Sequence, residues 1–140
     1  MRLKCFFATG LSLVLALYTM NSVAQTRVDT VLFERGSDSI SIPGHIEGRE
    51  YFDYLIRAKA GQAMIVSLES NNRFAFFNVM PPDTDIAIFV GSTLGDRFES
   101  HLPATGEYTI RVYLIRAAAR RGEKGSYTLD VRIPAENPKP

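Results

Sequence analysis

Apolar and polar residues alternate with a period of two through most of the chain, and this constrains the fold more than any other feature. Phe52, Tyr54 and Ile56 alternate with Asp53, Leu55 and Arg57. Met64, Val66 and Leu68 alternate with Ile65, Ser67 and Glu69. Ile40, Ile42 and Ile46 share one phase, interrupted by Pro43-Gly44. Successive side chains of a strand point to opposite faces, so each run is a strand with one buried face. Phe74 to Val79 is apolar on both faces, as a central strand can be, and Ile86 to Val90 reads as a further short strand. Clusters of Gly, Pro, Asn and Asp separate the runs at spacings near ten residues. The expected fold is all-β, a single-domain antiparallel β-sandwich of jelly-roll type.

The first residues form a separate unit. Arg2 and Lys4 precede a mostly apolar run from Phe6 to Leu17, followed by Ser22-Val23-Ala24. A basic head, a short apolar stretch and a small-residue cleavage pattern make a secretory signal peptide over residues 1–24, and the apolar run is too short to span a bilayer. The sandwich is then expected over 25–134, with a proline-bearing tail at 135–140. The one cysteine, Cys5, lies in the signal, so the exported chain must rely on core packing alone. Sixteen basic residues stand against fifteen acidic ones, and two of the basic ones are in the signal. The remainder is close to neutral, which points to neither nucleic acid nor an anionic membrane as partner. About 115 residues make one domain with a real core.

The last two strands echo one another. Gly106-Glu-Tyr-Thr-Ile-Arg-Val112 returns as Gly125-Ser-Tyr-Thr-Leu-Asp-Val131. Tyr108, Ile110 and Val112 face one way, as do Tyr127, Leu129 and Val131. If the two strands form a hairpin, a register in which paired numbers sum to 241 sets Arg111 opposite Asp130, a favourable cross-strand pair. Residues 116–125, RAAARRGEKG, become its tip. The three alanines favour a helical turn there, which places Arg116 and Arg120 four apart on one side and Arg121 beside them.

Little else carries chemistry. His45 and His101 have no cysteine or second histidine at metal-ligand spacing. Ser92 and Ser100 lie near Asp96 and His101 in sequence, but no nucleophile turn occurs, and Asp53, Glu69 and Glu99 are scattered. Asp83 and Asp85 could touch calcium but offer too few oxygens, so Asp83 reads as a turn residue. No enzyme, cofactor or resident metal is expected. The arginine loop is the one local concentration of charge. It is either a solvated turn that keeps one end of the sandwich soluble, or a set of guanidinium forks that fit carboxylates on another protein.

A resemblance bears on this choice. Leu102-Pro-Ala-Thr-Gly-Glu-Tyr108, the two arginines Arg116 and Arg120, and Tyr127-Thr-Leu-Asp-Val131 resemble the periplasmic inhibitors of goose-type (g-type) lysozyme from Gram-negative bacteria. Phe33-Glu-Arg-Gly36, Gly44-His-Ile-Glu-Gly48 and Ala60-Gly-Gln62 fall where that family has similar blocks. The resemblance implies a periplasmic one-domain sandwich that blocks a peptidoglycan-cleaving cleft holding a catalytic glutamate; a monomer or weak dimer is expected. It carries the contact role onto Arg116 and Arg120, with Arg121, Arg49 and Tyr51 beside them. The partner is then a g-type lysozyme or a similar lytic enzyme. The chain departs from the family where others present a tyrosine after Gly48: it has Arg49, with Tyr51 two residues on. The alternative is a carbohydrate- or cell-wall-binding sandwich similar to bacterial pre-peptidase C-terminal domains, which would show exposed aromatics on one face.

Overall fold

The computed structural model describes residues 26–135. The signal-peptide expectation and most of the tail lie outside this range. Among the described residues nine strands and two short helices follow one another: β1 Thr26–Thr30, β2 Ser39–Glu47, β3 Tyr51–Ala58, β4 Ala63–Ser70, β5 Ala75–Met80, β6 Phe89–Val90, α1 Gly91–Leu94, β7 Arg97–His101, β8 Gly106–Leu114, α2 Arg116–Arg120 and β9 Lys124–Arg132. They form two sheets, ordered β1-β3-β8-β5-β6 and β2-β9-β4-β7. From β2 to β9 every connection except β5–β6 passes from one sheet to the other. That is the jelly-roll arrangement, with β1 added at one edge. The pairs are antiparallel apart from β1 with β3, which is parallel.

The alternation places the core as expected. Tyr54 and Ile56 of β3, Met64, Val66 and Leu68 of β4, Tyr108, Ile110 and Val112 of β8, and Tyr127, Leu129 and Val131 of β9 are all buried between the sheets. Pro43-Gly44 does not interrupt β2, which pairs with β9 from Ser39 to Glu47. A proline is tolerated there because β2 is an edge strand. Gly44 is required, since a side chain on it would collide with the Tyr127 ring. The segment before Val90 is strand only at Phe89–Val90, where it pairs with β5, and Ile86 is exposed. β1, α1 and β7 carry too short or too polar a pattern to be read from sequence: β1 is exposed at all five positions, and β7 buries only Phe98.

The expected hairpin does not form. β8 lies between β3 and β5, and β9 lies between β2 and β4 in the other sheet. Arg111 therefore faces Asp53 of β3, not Asp130. Asp130 sits between Ser41 and Ser67 and accepts a hydrogen bond from the Ser41 hydroxyl. Both strands have an inward face in common because they face each other across the core. Period two encodes which face is buried and is silent on which strand lies alongside.

Three tyrosines tie the frame together. The Tyr108 hydroxyl donates to the Ala104 carbonyl at 2.7 Å and accepts from the Ala104 amide at 3.1 Å, a tyrosine corner that pins the turn before β8. Tyr54 and Tyr127 join the two sheets through a 2.6 Å hydrogen bond between their hydroxyls. Burial raises the pKa of both; their hydrogen bond raises Tyr127 further and partly offsets the rise in Tyr54.

Tyr108→Phe leaves both Ala104 backbone groups without their partner and should cost about 1–3 kcal/mol, read as a lower urea midpoint with unchanged slope. The buried phenols add an alkaline signature. In the unfolded chain they ionise near pH 10, below their folded values. The stability they contribute is complete below about pH 10 and is lost as pH rises from there towards the folded values. Urea midpoints should fall as pH rises above about 10, and less steeply in Tyr127→Phe. Equal slopes in the two proteins would refute the assignment.

Candidate functional site

The connection from β8 to β9 runs over Ile115 to Glu123 and closes one end of the sandwich. Its helical turn, α2, follows from the three alanines. Ala118 is fully buried in the core, and Ala119 is half-buried. Arg116 and Arg120 stand on the exposed side. Gly122, at φ 67°, ends the turn, and its amide donates to the Ala119 carbonyl.

A second loop packs against the first. Between β2 and β3 the chain turns at Gly48, whose φ of 58° suits glycine. The Gly48 amide donates to the Glu123 carbonyl at 2.9 Å, fastening this turn to the end of the α2 connection. Arg49, Glu50 and Tyr51 are thereby carried to the α2 side. Together with Tyr113, Leu114, Arg116, Ala119 and Arg120 they line an open depression of ≈ 440 Å³. Four of the five residues picked out by sequence, Arg49, Tyr51, Arg116 and Arg120, thus meet at one place.

Arg121 does not join them. Its Nε donates to Glu123 Oε2 at 2.7 Å, and its guanidinium lies 5.4 Å from the Phe74 ring centroid. Glu123 Oε1 in turn accepts from Asn72. This arginine fastens the loop to its neighbours. By contrast, among the described residues Arg49, Arg116 and Arg120 form no ion pair and no side-chain hydrogen bond. Their donor forks are free for an outside acceptor. Glu50 is the one carboxylate on the rim.

The floor is held from below by a group that the sequence placed elsewhere. Arg111 donates to both Asp53 oxygens, at 2.7 and 2.8 Å, and its guanidinium lies 4.2 Å from the Tyr51 ring centroid. The hydrogen bonds with Asp53 hold Arg111 above its ordinary pKa, with burial as a partial offset. The stacked guanidinium fixes the Tyr51 ring on its inner side. Tyr113, its cross-strand neighbour, donates to Asn78 Oδ1 at 3.0 Å. Tyr113 and Glu50 had no distinguishing spacing. Outward phase two residues from Arg111, in Tyr113, was the available signal.

The other candidates stay apart. His45 on β2 lies against Ser126, and His101 on β7 lies against the Gly61 carbonyl, at opposite edges of one sheet. Among the described residues no three His, Cys, Asp or Glu side chains gather as a metal site. Asp83 occupies a turn at φ 62°, and both it and Asp85 are exposed.

No family model matches the chain. A protein of Escherichia coli (strain K12) described as an inhibitor of g-type lysozyme is 34% identical over 125 residues, covering 86% of this chain and 92% of that protein. The chain belongs to the family of g-type lysozyme inhibitors. The crystal structure of Aeromonas hydrophila PliG, a periplasmic lysozyme inhibitor of g-type lysozyme, has a TM-score of 0.73 and 34% identity, covering 80% of this chain and 100% of that one. Salmonella Typhimurium PliG, with the same description, has a TM-score of 0.64 and 25% identity, covering 77% and 98%.

Arg111→Met should leave the buried Asp53 carboxylate unpaired and the Tyr51 ring unsupported. Because Arg111 is 35% exposed at its side chain, the expected cost is about 2 kcal/mol, below that of a fully enclosed pair. Chemical denaturation measures it, and Asp53→Asn should lose less, because the amide is neutral.

Proposed function

We propose that this protein is a periplasmic, non-enzymatic inhibitor of g-type lysozyme that seats its α2 loop in the enzyme's acidic cleft. The observation that carries the reading is the convergence of Arg49, Arg116 and Arg120 on one rim without internal partners. Unpaired guanidinium groups on a rigid end loop are a surface made for carboxylates, since charge-assisted hydrogen bonds are the strong ones. A solubilising turn would have no reason to hold three forks together and back them with a stacked tyrosine. The family resemblance supplies the acceptor, a catalytic glutamate. Arg116 and Arg120 are its contacts, with Arg49 and Tyr51 flanking them. Arg121 serves the loop's own geometry through Glu123.

The carbohydrate-binding alternative asks for exposed aromatics. Among the described residues the exposed large hydrophobic side chains are aliphatic: Val28, Leu32, Ile86, Ile88 and Leu94. They offer no platform for stacking a sugar ring.

The test is the residual muralytic activity of a purified g-type lysozyme titrated with the wild type and with loop variants. The wild type should abolish activity at a stoichiometric end point. Arg116→Ala and Arg120→Ala should each weaken binding by about 2–5 kcal/mol, and Arg116→Glu by more, because it adds repulsion to the lost contact. Arg121→Ala should weaken it least. Equal inhibition by wild type and Arg116→Glu would sink the site, and a folded wild type that inhibits no g-type lysozyme would sink the function.

A further inference from the structure

The turn between β4 and β5, Asn71-Asn72-Arg73-Phe74, carries an arginine that no sequence pattern marks out. Hydrogen bonds fasten this turn to both ends of the α2 connection. The Asn72 side-chain amide donates to Glu123 Oε1 at 3.2 Å and to the Lys124 carbonyl at 3.0 Å, where the connection ends. The Ile115 amide donates to the Phe74 carbonyl at 3.0 Å, where it begins. Within the turn Asn72 Oδ1 accepts from the Phe74 amide at 2.9 Å, an Asx turn. Asparagine suits position 72 because one short side chain offers an acceptor to its own turn and two donors to the loop beyond. Residue 73 is thus held between two anchored neighbours and keeps its place relative to α2.

Arg73 is exposed, and its guanidinium lies 4.6 Å from the Phe74 ring centroid. Arg121 approaches the same ring at 5.4 Å. The two arginines differ in their partners. Arg121 is held by Glu123 Oε2, and the other Glu123 oxygen is taken by Asn72. Both oxygens of this carboxylate are therefore engaged, and among the described residues Arg73 forms no ion pair. Stacking on an aromatic ring orients a guanidinium and leaves the N–H groups at its edge free to donate. Neither the ring nor the pinned backbone is needed to keep a turn soluble.

On the reading of the protein as an inhibitor of g-type lysozyme, we propose that Arg73 is a further contact residue, donating to a carboxylate at the margin of the cleft that receives α2. β8 lies between β3 and β5, so the α2 connection has a loop on each side. Arg49 stands in the loop before β3, and Arg73 in the turn before β5. The bond from Ile115 to Phe74 carries the pairing of β5 with β8 one step past Leu114, so the turn bearing Arg73 borders Arg116, the first residue of α2. Arg73 is not among the residues lining the depression and stands outside it, on the β5 side. The unpaired positive surface is therefore wider than the depression and reaches across the ends of β3, β8 and β5. Like charges gathered in this way repel one another in the free protein, and an acidic partner surface relieves that repulsion. A stacked guanidinium on a fixed turn also loses little conformational freedom when it binds.

Dissociation constants for a purified g-type lysozyme, measured by titration calorimetry with the exported protein and its variants, test the contact. Arg73→Ala should weaken binding by about tenfold, the loss of one hydrogen bond to a charged group. Arg73→Glu should weaken it by about a hundredfold, because it adds repulsion. Arg73→Lys keeps the charge but loses the planar fork, and should bind about threefold more weakly than the wild type. Circular dichroism confirms that each variant is folded, as expected for a change at an exposed side chain. If Arg116→Ala weakens binding while Arg73→Ala and Arg73→Glu bind as the wild type does, the role of Arg73 is overturned and the inhibitor reading stands. Arg73→Lys equal to the wild type overturns that role as well, since diffuse charge would then suffice. A folded wild type that binds no g-type lysozyme overturns both.

Discussion

Ala118 is fully buried, and the geometry of the arginine end depends on it. The connection from β8 to β9 must cross from one sheet to the other, a gap of about 10 Å. It does so over the open end of the core, which needs an apolar plug. A single helical turn supplies one: its small buried alanine sits in the core, while Arg116 and Arg120, two residues to either side, stay outside. Hydrogen bonds from the Glu123 amide to the Ala118 carbonyl and from the Gly48 amide to the Glu123 carbonyl then fix the turn and its neighbouring loop as one body. A larger side chain at 118 would strain a packed core and displace both arginines together.

The two ends of β8 divide the work. At its start, Leu102 is buried, Ala104 is gripped by the Tyr108 hydroxyl, and Gly106 lies so close to Pro82 that no side chain fits. The Leu-Pro-Ala-Thr-Gly-Glu-Tyr block thus makes the fold. At the far end, Tyr113 and Leu114 lead into the arginine loop. The motif that most resembles the lysozyme inhibitors and the unpaired arginines of the α2 loop stand at opposite ends of one strand, rigidly connected by it.

In a near-neutral molecule, several arginines elsewhere are paired while those of the depression are not. Arg97, Arg111, Arg121 and Arg132 each hold a carboxylate: Glu99, Asp53, Glu123 and Asp38. Arg111 and Arg121 lie close to the site yet act on it indirectly, one beneath Tyr51 and the other through Glu123. Counting arginines in the loop therefore overstates the free donors, and pairing separates the free guanidinium groups from those that support the loop.

Much of this was legible in the chain itself. The alternation of Phe52 to Arg57, Met64 to Glu69 and the two Tyr-Thr strands determined which faces are buried, because a strand's side chains can point only two ways. The alanine run determined the helical turn, and the composition left one cluster of positive charge. The strand neighbours were decided by the tertiary structure alone. An inward residue satisfies its pattern equally well beside another strand or across the core from it, so Tyr108 and Tyr127 carried the same signal in either arrangement. That choice turned Arg111 from Asp130 to Asp53 and placed it beneath Tyr51. It also brought Arg49 to the arginine loop, since residues some seventy positions apart meet only when two sheets close upon each other.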